Sequence, residues 1–149
     1  MAKELITRDQ VKEEDTWKVS DIYESVELWE ADLKLIAQLA SEIASFEGKV
    51  CENAKSLLTV LDKAALMAEK LDTAYNYAQR LFDQDQGNTK HQAMSAKVMS
   101  TYADCMSKVS FVDPEILACE ESKIEEFMAQ EKGLELYRLQ IKEIQRLKP

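Results

Sequence analysis

The stretch that decides the fold is residues 25–46, SVELWEADLKLIAQLASEIASF. Its apolar residues recur in steps of three and four, which predicts a helix with one buried face. That face carries Trp29, Leu33, Ile36, Ala40 and Ile43, with Leu28, Leu35, Leu39 and Phe46 beside them. Ser25 is a good N-cap, and Glu27 suits the positive end of the helix dipole. Gly48 is expected to stop this first helix.

The same periodicity continues along the chain. Asn53 is expected to cap a second helix, and further helices are predicted over about residues 63–84 and 88–110. The second helix carries Leu57, Leu58 and Leu61; the third has a stripe of Leu71, Ala74, Tyr75, Ala78, Leu81 and Phe82; the fourth has Met94, Val98, Tyr102, Cys105 and Val109. These aromatic and methionine stripes are typical of a protein core.

Two local signals organise the remainder. The run Asp113-Pro114-Glu115-Ile116 predicts a helix that begins at Pro114 with Asp113 as its cap, because Asp favours the N-cap and Pro the first helical position. A following segment carries Phe127 and Met128, and Gly133 is expected to interrupt it. A last apolar stripe consists of Leu134, Tyr137, Ile141, Ile144 and Leu147.

The composition agrees with a helical protein. The 149 residues include three Gly and two Pro, and residues that favour helix dominate. Because short loops make consecutive helices antiparallel, we predict an all-α fold: an up-and-down antiparallel bundle of about five to seven helices over residues 25–149. Residues 1–24 are predicted to form an irregular or extended N-terminal segment, anchored by Trp17, Val19, Ile22 and Tyr23.

Charge and cysteine usage exclude several classes of function. The formal net charge of −9 repels nucleic-acid phosphates and anionic lipids, so neither is an expected partner. No apolar run approaches the roughly 18 residues of a membrane span, and residues 1–10 do not resemble a signal peptide. Cys51, Cys105 and Cys119 are widely spaced, which predicts reduced thiols in a cytoplasmic protein. Cys105 lies on an apolar stripe and is expected to be a core residue.

One stretch raises the question of a metal site. Residues 81–91, LFDQDQGNTKH, combine Asp83 and Asp85 with the chain's one histidine, His91. An EF-hand loop started at Asp83 would have glycine at position 5, asparagine at 6 and methionine at 12, so it fails as a calcium site. The preferred interpretation is a helix–helix turn in which Gly87 is left-handed and Asn88 caps the next helix.

The chain also lacks the motifs of other reactive sites. A single histidine excludes H-E-x-x-H, and neither G-x-G-x-x-G nor a Walker A loop is present. Glutamate pairs such as Glu120–Glu121 are typical of solvated helix faces. We therefore predict no catalytic, cofactor-binding or metal-ligating residue in this chain.

A series of short motifs nevertheless resembles one family. Residues 16–23, TWKVSDIY, resemble the TWDLSDIY that opens the oligoendopeptidase F family of zinc metallopeptidases, and Trp29 follows at the family's distance. Lys18 stands where the family usually has aspartate, which affects a local capping contact. Residues 46–49, FEGK, are similar to its F-x-G-K. The other matches are Tyr77-Ala78 followed by Asp83, Asp85 and Asn88; residues 111–116, FVDPEI, beside its F-x-x-PEI; and Leu134-x-x-Tyr137.

The resemblance runs in order from residue 8 to 149 and implies a function. The chain would be the N-terminal helical region of a longer zinc metalloendopeptidase that cleaves internal bonds of short peptides. The family's H-E-x-x-H and later glutamate ligand lie beyond residue 149. These helices would form a wall of the substrate channel, their partners being the catalytic domain of the same polypeptide and the oligopeptide substrate. The Asp83–His91 stretch would be a turn without metal.

Two alternatives stay open. One is a stand-alone helical protein–protein interaction module whose apolar stripes serve a partner helix. The other, a carboxylate-bridged metal bundle, needs Glu-x-x-His pairs, but the residue three before His91 is Asn88. If a catalytic domain normally covers the chain, apolar surface is left open on Leu134, Tyr137, Ile141 and Ile144, with the Trp17 segment as a second patch. Self-association of the isolated chain is then expected.

Overall fold

The computed structural model describes residues 5–149 and shows an all-α protein, as predicted. Within this range there is no β-strand. Three short 3-10 turns, at Arg8–Gln10, Glu13–Asp15 and Val19–Asp21, precede the helices. The helices are α1 (Val26–Ala44), α2 (Ala54–Gln84), α3 (Thr89–Val109), α4 (Val112–Ala118), α5 (Glu121–Gln130) and α6 (Arg138–Gln145), with a 3-10 segment at Lys132–Tyr137 between the last two.

Helices α1 and α2 are antiparallel. The indole N–H of Trp29, near the start of α1, donates to the carbonyl of Ala74 on α2 at 3.0 Å. Near the end of α1, Glu42 pairs with Lys63 instead. Residues further along α1 therefore meet residues earlier in α2, which is the direction that a short connecting turn imposes.

Helix α3 returns parallel to α1 and completes an up–down–up arrangement. Lys97 of α3 pairs with Glu30 of α1 at 2.9 Å, and further along both helices the Cys105 thiol lies 4.0 Å from the carbonyl of Ile36. The predicted caps of these helices are confirmed. The Ser25 hydroxyl accepts from the Leu28 N–H of α1, and the Asn53 side chain accepts from the Ser56 N–H of α2.

The predicted break near residue 62 is wrong, because α2 is one unbroken helix of 31 residues. The apolar pattern of the sequence predicts two helices here, one that carries Leu57 and another that carries Leu71. No glycine or proline occurs in residues 54–84, and the junction LDKAALM consists mostly of strong helix formers. A break would have required a residue that disrupts the backbone ladder.

In the C-terminal part of the chain, α5 and the 3-10 segment pack beside α2, and α6 packs against α4. The Tyr137 hydroxyl donates to Asp62 of α2 at 2.5 Å, and Arg138 joins α6 to α5 through Glu125 at 3.1 Å. Gly133 lies in the 3-10 segment between α5 and α6, as the predicted interruption requires. A side chain at Gly133 would begin 3.1 Å from Leu58, so the α5–α6 connection approaches α2 closely.

The prediction that a helix starts at Pro114 puts that start two residues too late. Helix α4 starts at Val112 with Phe111 as its N-cap, and no side chain caps it. Asp113 therefore lies inside the first turn, and the prediction that it caps the helix is wrong. Pro114 is tolerated as the third helical residue because the N–H groups of the first turn have no partner within the helix.

The core contains most of the predicted stripe residues. Trp29, Leu33, Ile36, Ala40 and Ile43 are all buried, and so are Leu71, Ala74, Ala78, Val98 and Cys105. Tyr75 and Tyr102, which the helical spacing placed in core stripes, are exposed, and so is Leu147 at the end of the last stripe. The two tyrosines lie at the edge of the α2–α3 contact, where the helices leave an open groove.

Four of the five residues of the C-terminal stripe do not leave apolar surface open. Leu134, Tyr137, Ile141 and Ile144 are all buried in the chain's own core, which contradicts the expectation that they are uncovered. The 3-10 segment packs against α2 and α6 packs against α4, and Leu136, Leu139 and Leu147 face solvent instead. Trp17 remains half exposed, as expected. No helix in residues 5–149 is both long and apolar enough to cross a membrane.

Candidate functional site

The aspartate-rich stretch forms the turn between α2 and α3. The Asn88 side chain accepts from the N–H groups of Lys90 at 2.9 Å and His91 at 3.3 Å, so it caps α3 as predicted. Gly87 is not left-handed, contrary to the expectation. Asp85 instead leaves the helix in an extended conformation (φ −149°, ψ 82°), and its carbonyl accepts from Asn88 N–H at 3.1 Å. The chain reverses without a residue at positive φ.

The Asp83 carboxylate of this turn is engaged by neighbouring residues of α2, whereas His91 keeps one unpartnered ring nitrogen. Asp83 accepts from the Gln79 amide at 2.8 Å and lies 3.6 Å from Arg80. The His91 Nδ1 atom is buried without a hydrogen-bond partner among residues 5–149. No group of three His, Cys, Asp or Glu side chains within this range is placed to hold a metal ion. The geometry therefore describes a capped turn.

A network of hydrogen bonds between partly buried side chains ties the N-terminal segment to the bundle. The Tyr23 hydroxyl donates to Asp32 of α1 at 2.7 Å, and Lys70 of α2 donates to the same carboxylate at 3.0 and 3.2 Å. The Tyr23 ring meets Tyr77 edge-on at 5.2 Å. Burial and the Asp32 carboxylate raise the pKa of Tyr23, so it remains a hydrogen-bond donor at ordinary pH.

The Asp32 carboxylate at the centre of this network has a shifted pKa. Burial by itself disfavours the ionised form, but hydrogen bonds from Tyr23 and Lys70 outweigh it and lower the pKa below the ordinary 3.8. The stability it contributes is therefore present above the unfolded-state pKa and is lost as pH falls through the folded-state pKa.

We expect Asp32→Asn to destabilise the chain near neutral pH and much less in acid. The difference in unfolding free energy from wild type should shrink as the pH falls from about 5 to about 2, because protonation removes the same charge that the substitution removes. Urea titrations at several pH values measure this difference. A penalty that stays constant down to the lowest pH would show that Asp32 acts by shape and not by charge.

A second set of contacts holds the preceding residues of the N-terminal segment against the end of α2. The Trp17 carbonyl accepts from the Gln84 amide at 3.0 Å, and the Arg80 guanidinium lies over the Trp17 ring at 5.0 Å. Arg8 also donates to Gln84, at 3.3 Å. The motif residues of TWKVSDIY thus contact the segment that contains Tyr77 and Asp83.

Two further motif regions also meet in space. The Glu115 carboxylate, in FVDPEI, accepts from the backbone N–H of Gly48 at 2.5 Å and of Val50 at 3.1 Å. Gly48, in FEGK, has φ +78°, a conformation that L side chains rarely adopt. One carboxylate therefore satisfies two donors of the α1–α2 turn and pins that turn to α4. These motifs serve the architecture of the bundle.

Within residues 5–149, an open apolar surface lies in a groove between α2 and α3, called here the Met–Tyr groove. It is a cleft of about 490 Å³ lined by Met67, Ala68, Leu71, Asp72, Tyr75, Met99, Tyr102 and Met106. Tyr75, Met99, Tyr102 and Met106 are exposed there. Periodicity assigned two of these residues to the core, and sequence reasoning therefore missed the groove. Adaptable methionine and amphipathic tyrosine are suited to binding apolar groups of varied shape.

Comparisons with known proteins give a consistent set of relatives. No protein-family profile matches the chain. It is 33% identical over 148 residues to oligopeptidase PepF of Bacillus subtilis (strain 168), an alignment that covers 99% of this chain and 22% of that protein. It is 28% identical over 130 residues to group B oligopeptidase PepB of Streptococcus agalactiae serotype III (strain NEM316), covering 87% and 22%.

Two solved structures have the same arrangement of helices. Oligoendopeptidase-F from Enterococcus faecium superimposes with a TM-score of 0.72 at 26% identity, over 80% of this chain and 24% of that one. A putative peptidase from Chlamydophila abortus gives a TM-score of 0.81 over 97% of this chain, and its 24% identity shows the fold alone. The chain spans about a fifth of the length of the curated relatives it matches. It is thus similar, in sequence and in fold, to the N-terminal helical region of the oligoendopeptidase F-like peptidases.

Proposed function

We propose that this chain is the N-terminal helical region of a longer, cytoplasmic zinc metalloendopeptidase that hydrolyses internal bonds of short peptides. The observation that carries the proposal is the 33% identity across 99% of the chain to an oligopeptidase of which the chain spans only 22%. In this proposal the helices form a wall of the substrate channel. Their partners are the catalytic domain of the same polypeptide and the oligopeptide.

The zinc of the proposed parent does not fit the residues of this chain. A catalytic zinc site uses three protein ligands, commonly two histidines and a carboxylate. The sequence has one histidine, and residues 5–149 bring no three candidate ligands together. We therefore assign no step of hydrolysis to these helices and place the H-E-x-x-H motif in the remainder of the parent polypeptide.

The Met–Tyr groove is the surface that we place toward the channel. Its exposed side chains are apolar or amphipathic, and Asp72 is the one charged residue that lines it. A wall that handles many peptide sequences needs contacts that adapt to different side chains, which methionine supplies. The tyrosine hydroxyls add hydrogen bonds for a peptide backbone. Contact at this surface would affect substrate binding and leave bond cleavage to other residues.

The test compares the isolated chain with the proposed full-length parent, whose sequence is read from the genomic reading frame that contains this chain. We expect the isolated chain to leave quenched fluorogenic oligopeptides intact with added Zn²⁺, and the parent to cleave them in a chelator-sensitive reaction. In the parent, Met99→Ser combined with Tyr102→Ala should raise KM roughly tenfold with kcat little changed, because substrate-binding contacts are lost.

The control for the groove variants is Leu139→Ser, which removes an exposed apolar side chain from α6. It should leave KM unchanged. Chelator-sensitive turnover by the purified isolated chain would contradict the assignment of catalysis to another domain. An unchanged KM in the Met99/Tyr102 variant would remove the groove from the channel wall and leave the peptidase assignment intact. A stop codon directly after Pro149 would contradict the parent enzyme itself.

One observation favours the alternative of a stand-alone interaction module. Leu134, Tyr137, Ile141 and Ile144 are buried within the chain, so its C-terminal stripe does not require a covering domain. On this alternative the Met–Tyr groove would receive an apolar partner helix. The reading frame past Pro149 separates the two functions directly.

A further inference from the structure

Two of the three cysteines lie together where the N-terminal and C-terminal halves of the fold meet. Cys51 is in the turn that connects α1 and α2, and Cys119 ends α4. The Cys51 Sγ atom is 3.9 Å from the carbonyl oxygen of Glu115, and the Cys119 N–H donates to that same oxygen at 3.2 Å. Both residues line one surface cleft, together with Gly48 and Lys123.

The approach of the two residues is fixed on both sides. The Glu115 carboxylate holds the backbone of Gly48 and Val50, directly before Cys51. The Cys119 carbonyl accepts from the Gln145 amide at 3.2 Å and from the Lys148 ammonium at 2.7 Å. Such preorganisation raises the effective concentration of one thiol at the other and favours an intramolecular reaction.

We propose that Cys51 and Cys119 form a reversible intramolecular disulfide by exchange with a small-molecule disulfide such as oxidised glutathione. The Cys51 thiolate attacks one sulfur of the reagent, which forms a mixed disulfide and releases one glutathione thiolate. The Cys119 thiolate then attacks the Cys51 sulfur and releases the second. The protein loses two electrons and two protons, and the reagent is reduced to two glutathione molecules.

Accessibility sets the order of these steps and excludes the third cysteine. Cys51 is half-buried, so a reagent in solution can reach it, whereas Cys119 is buried and acts second. Cys105 is buried between α3 and α1 against the Ile36 carbonyl. Burial, reinforced by the neighbouring Cys119, raises the pKa of Cys51 to about 12. Exchange is therefore slow at neutral pH and accelerates as the pH rises, because the thiolate is the nucleophile.

The crosslink would close the loop of residues 51–119, which contains all of α2 and α3. Tying the α1–α2 turn to the end of α4 restricts the unfolded chain and raises the thermal midpoint by several degrees. The modification is thus a covalent staple between the two halves of the bundle, made or removed according to the thiol–disulfide balance of the surroundings.

The experiment incubates the folded chain with oxidised glutathione at alkaline pH, blocks the remaining thiols by alkylation and maps the peptides by mass spectrometry. We expect a Cys51–Cys119 linked peptide, Cys105 alkylated, and reversal by dithiothreitol. Cys105→Ser should crosslink as wild type does. Cys51→Ser should give no crosslink, and Cys119→Ser should stop at a glutathione adduct on Cys51.

Two further measurements test whether the folded α1–α2 turn directs the crosslink. In denaturant, the preference for the 51–119 pair over pairs with Cys105 should disappear, because the folded turn creates it. Glu115→Gln, which keeps one side-chain acceptor, should slow crosslinking severalfold while the chain stays folded. A wild-type chain that carries only a stable Cys51–glutathione adduct, or that keeps three unmodified thiols while it remains folded under these conditions, would overturn the proposal.

Discussion

Trp29→Ala is expected to lower the free energy of unfolding by about 4 kcal/mol, a loss typical of large-to-small changes at fully buried aromatic residues. The side chain is completely buried, its ring packs against Tyr77 at 6.4 Å between centroids, and its N–H binds the carbonyl of Ala74. The substitution therefore opens a cavity at the contact of α1 with α2. Urea denaturation followed by circular dichroism measures the loss.

The chain offers a matched control in its second tryptophan. Trp17 is half exposed and contacts the bundle through Arg80 and Gln84, so Trp17→Ala should cost about 1 kcal/mol or less. Trp29→Phe keeps most of the volume and loses the N–H, so it should fall between the two. Equal losses for Trp17→Ala and Trp29→Ala would contradict the placement of Trp29 in the core and of Trp17 at the surface.

Glu115→Ala is expected to destabilise the chain by about 3 kcal/mol, since hydrogen bonds to a charged group contribute roughly 1.5 kcal/mol or more each and two are lost. The N–H groups of Gly48 and Val50 would lose their acceptor, and the α1–α2 turn would no longer be held against α4. Denaturation midpoints at constant m-value measure the effect.

The control lies two residues earlier on the same helix. Asp113 is exposed and its carboxylate caps nothing, so Asp113→Ala should cost well under about 1 kcal/mol through the weak effect of the helix dipole. Glu115→Gln retains one acceptor oxygen and should give an intermediate loss. A larger effect at Asp113 than at Glu115 would restore the capping role that the local sequence suggested.

Short-range physics explains which elements could be predicted from the sequence. Period and capping residues located α1, the start of α2 at Asn53 and the start of α3 at Asn88, because each signal acts within a few residues. The same reasoning divided α2 at about residue 62, where the spacing of apolar residues varies while the backbone has no reason to break. It also made Asp113 a cap, although α4 accommodates Pro114 within its first turn.

Contacts between distant segments account for what could not be predicted. The binding of Glu115 to Gly48 and Val50 joins residues more than sixty positions apart, and nothing in either segment alone indicates it. Tyr75 and Tyr102 have helical spacing suited to a core, yet the relative positions of α2 and α3 leave them at an open groove. The absence of a local reactive motif was visible in the sequence, but the surface proposed for substrate was not.

The uninterrupted α2 helix gives the protein a fixed internal length. At about 1.5 Å per residue, its 31 residues extend about 46 Å, roughly one and a half times the diameter of a small domain. The N-terminal segment attaches near one end, at Gln84, and the C-terminal helices attach nearer the other, at Asp62. Because this helix contains neither glycine nor proline to serve as a hinge, the distance between the two attachment points is set by the number of helical residues between them.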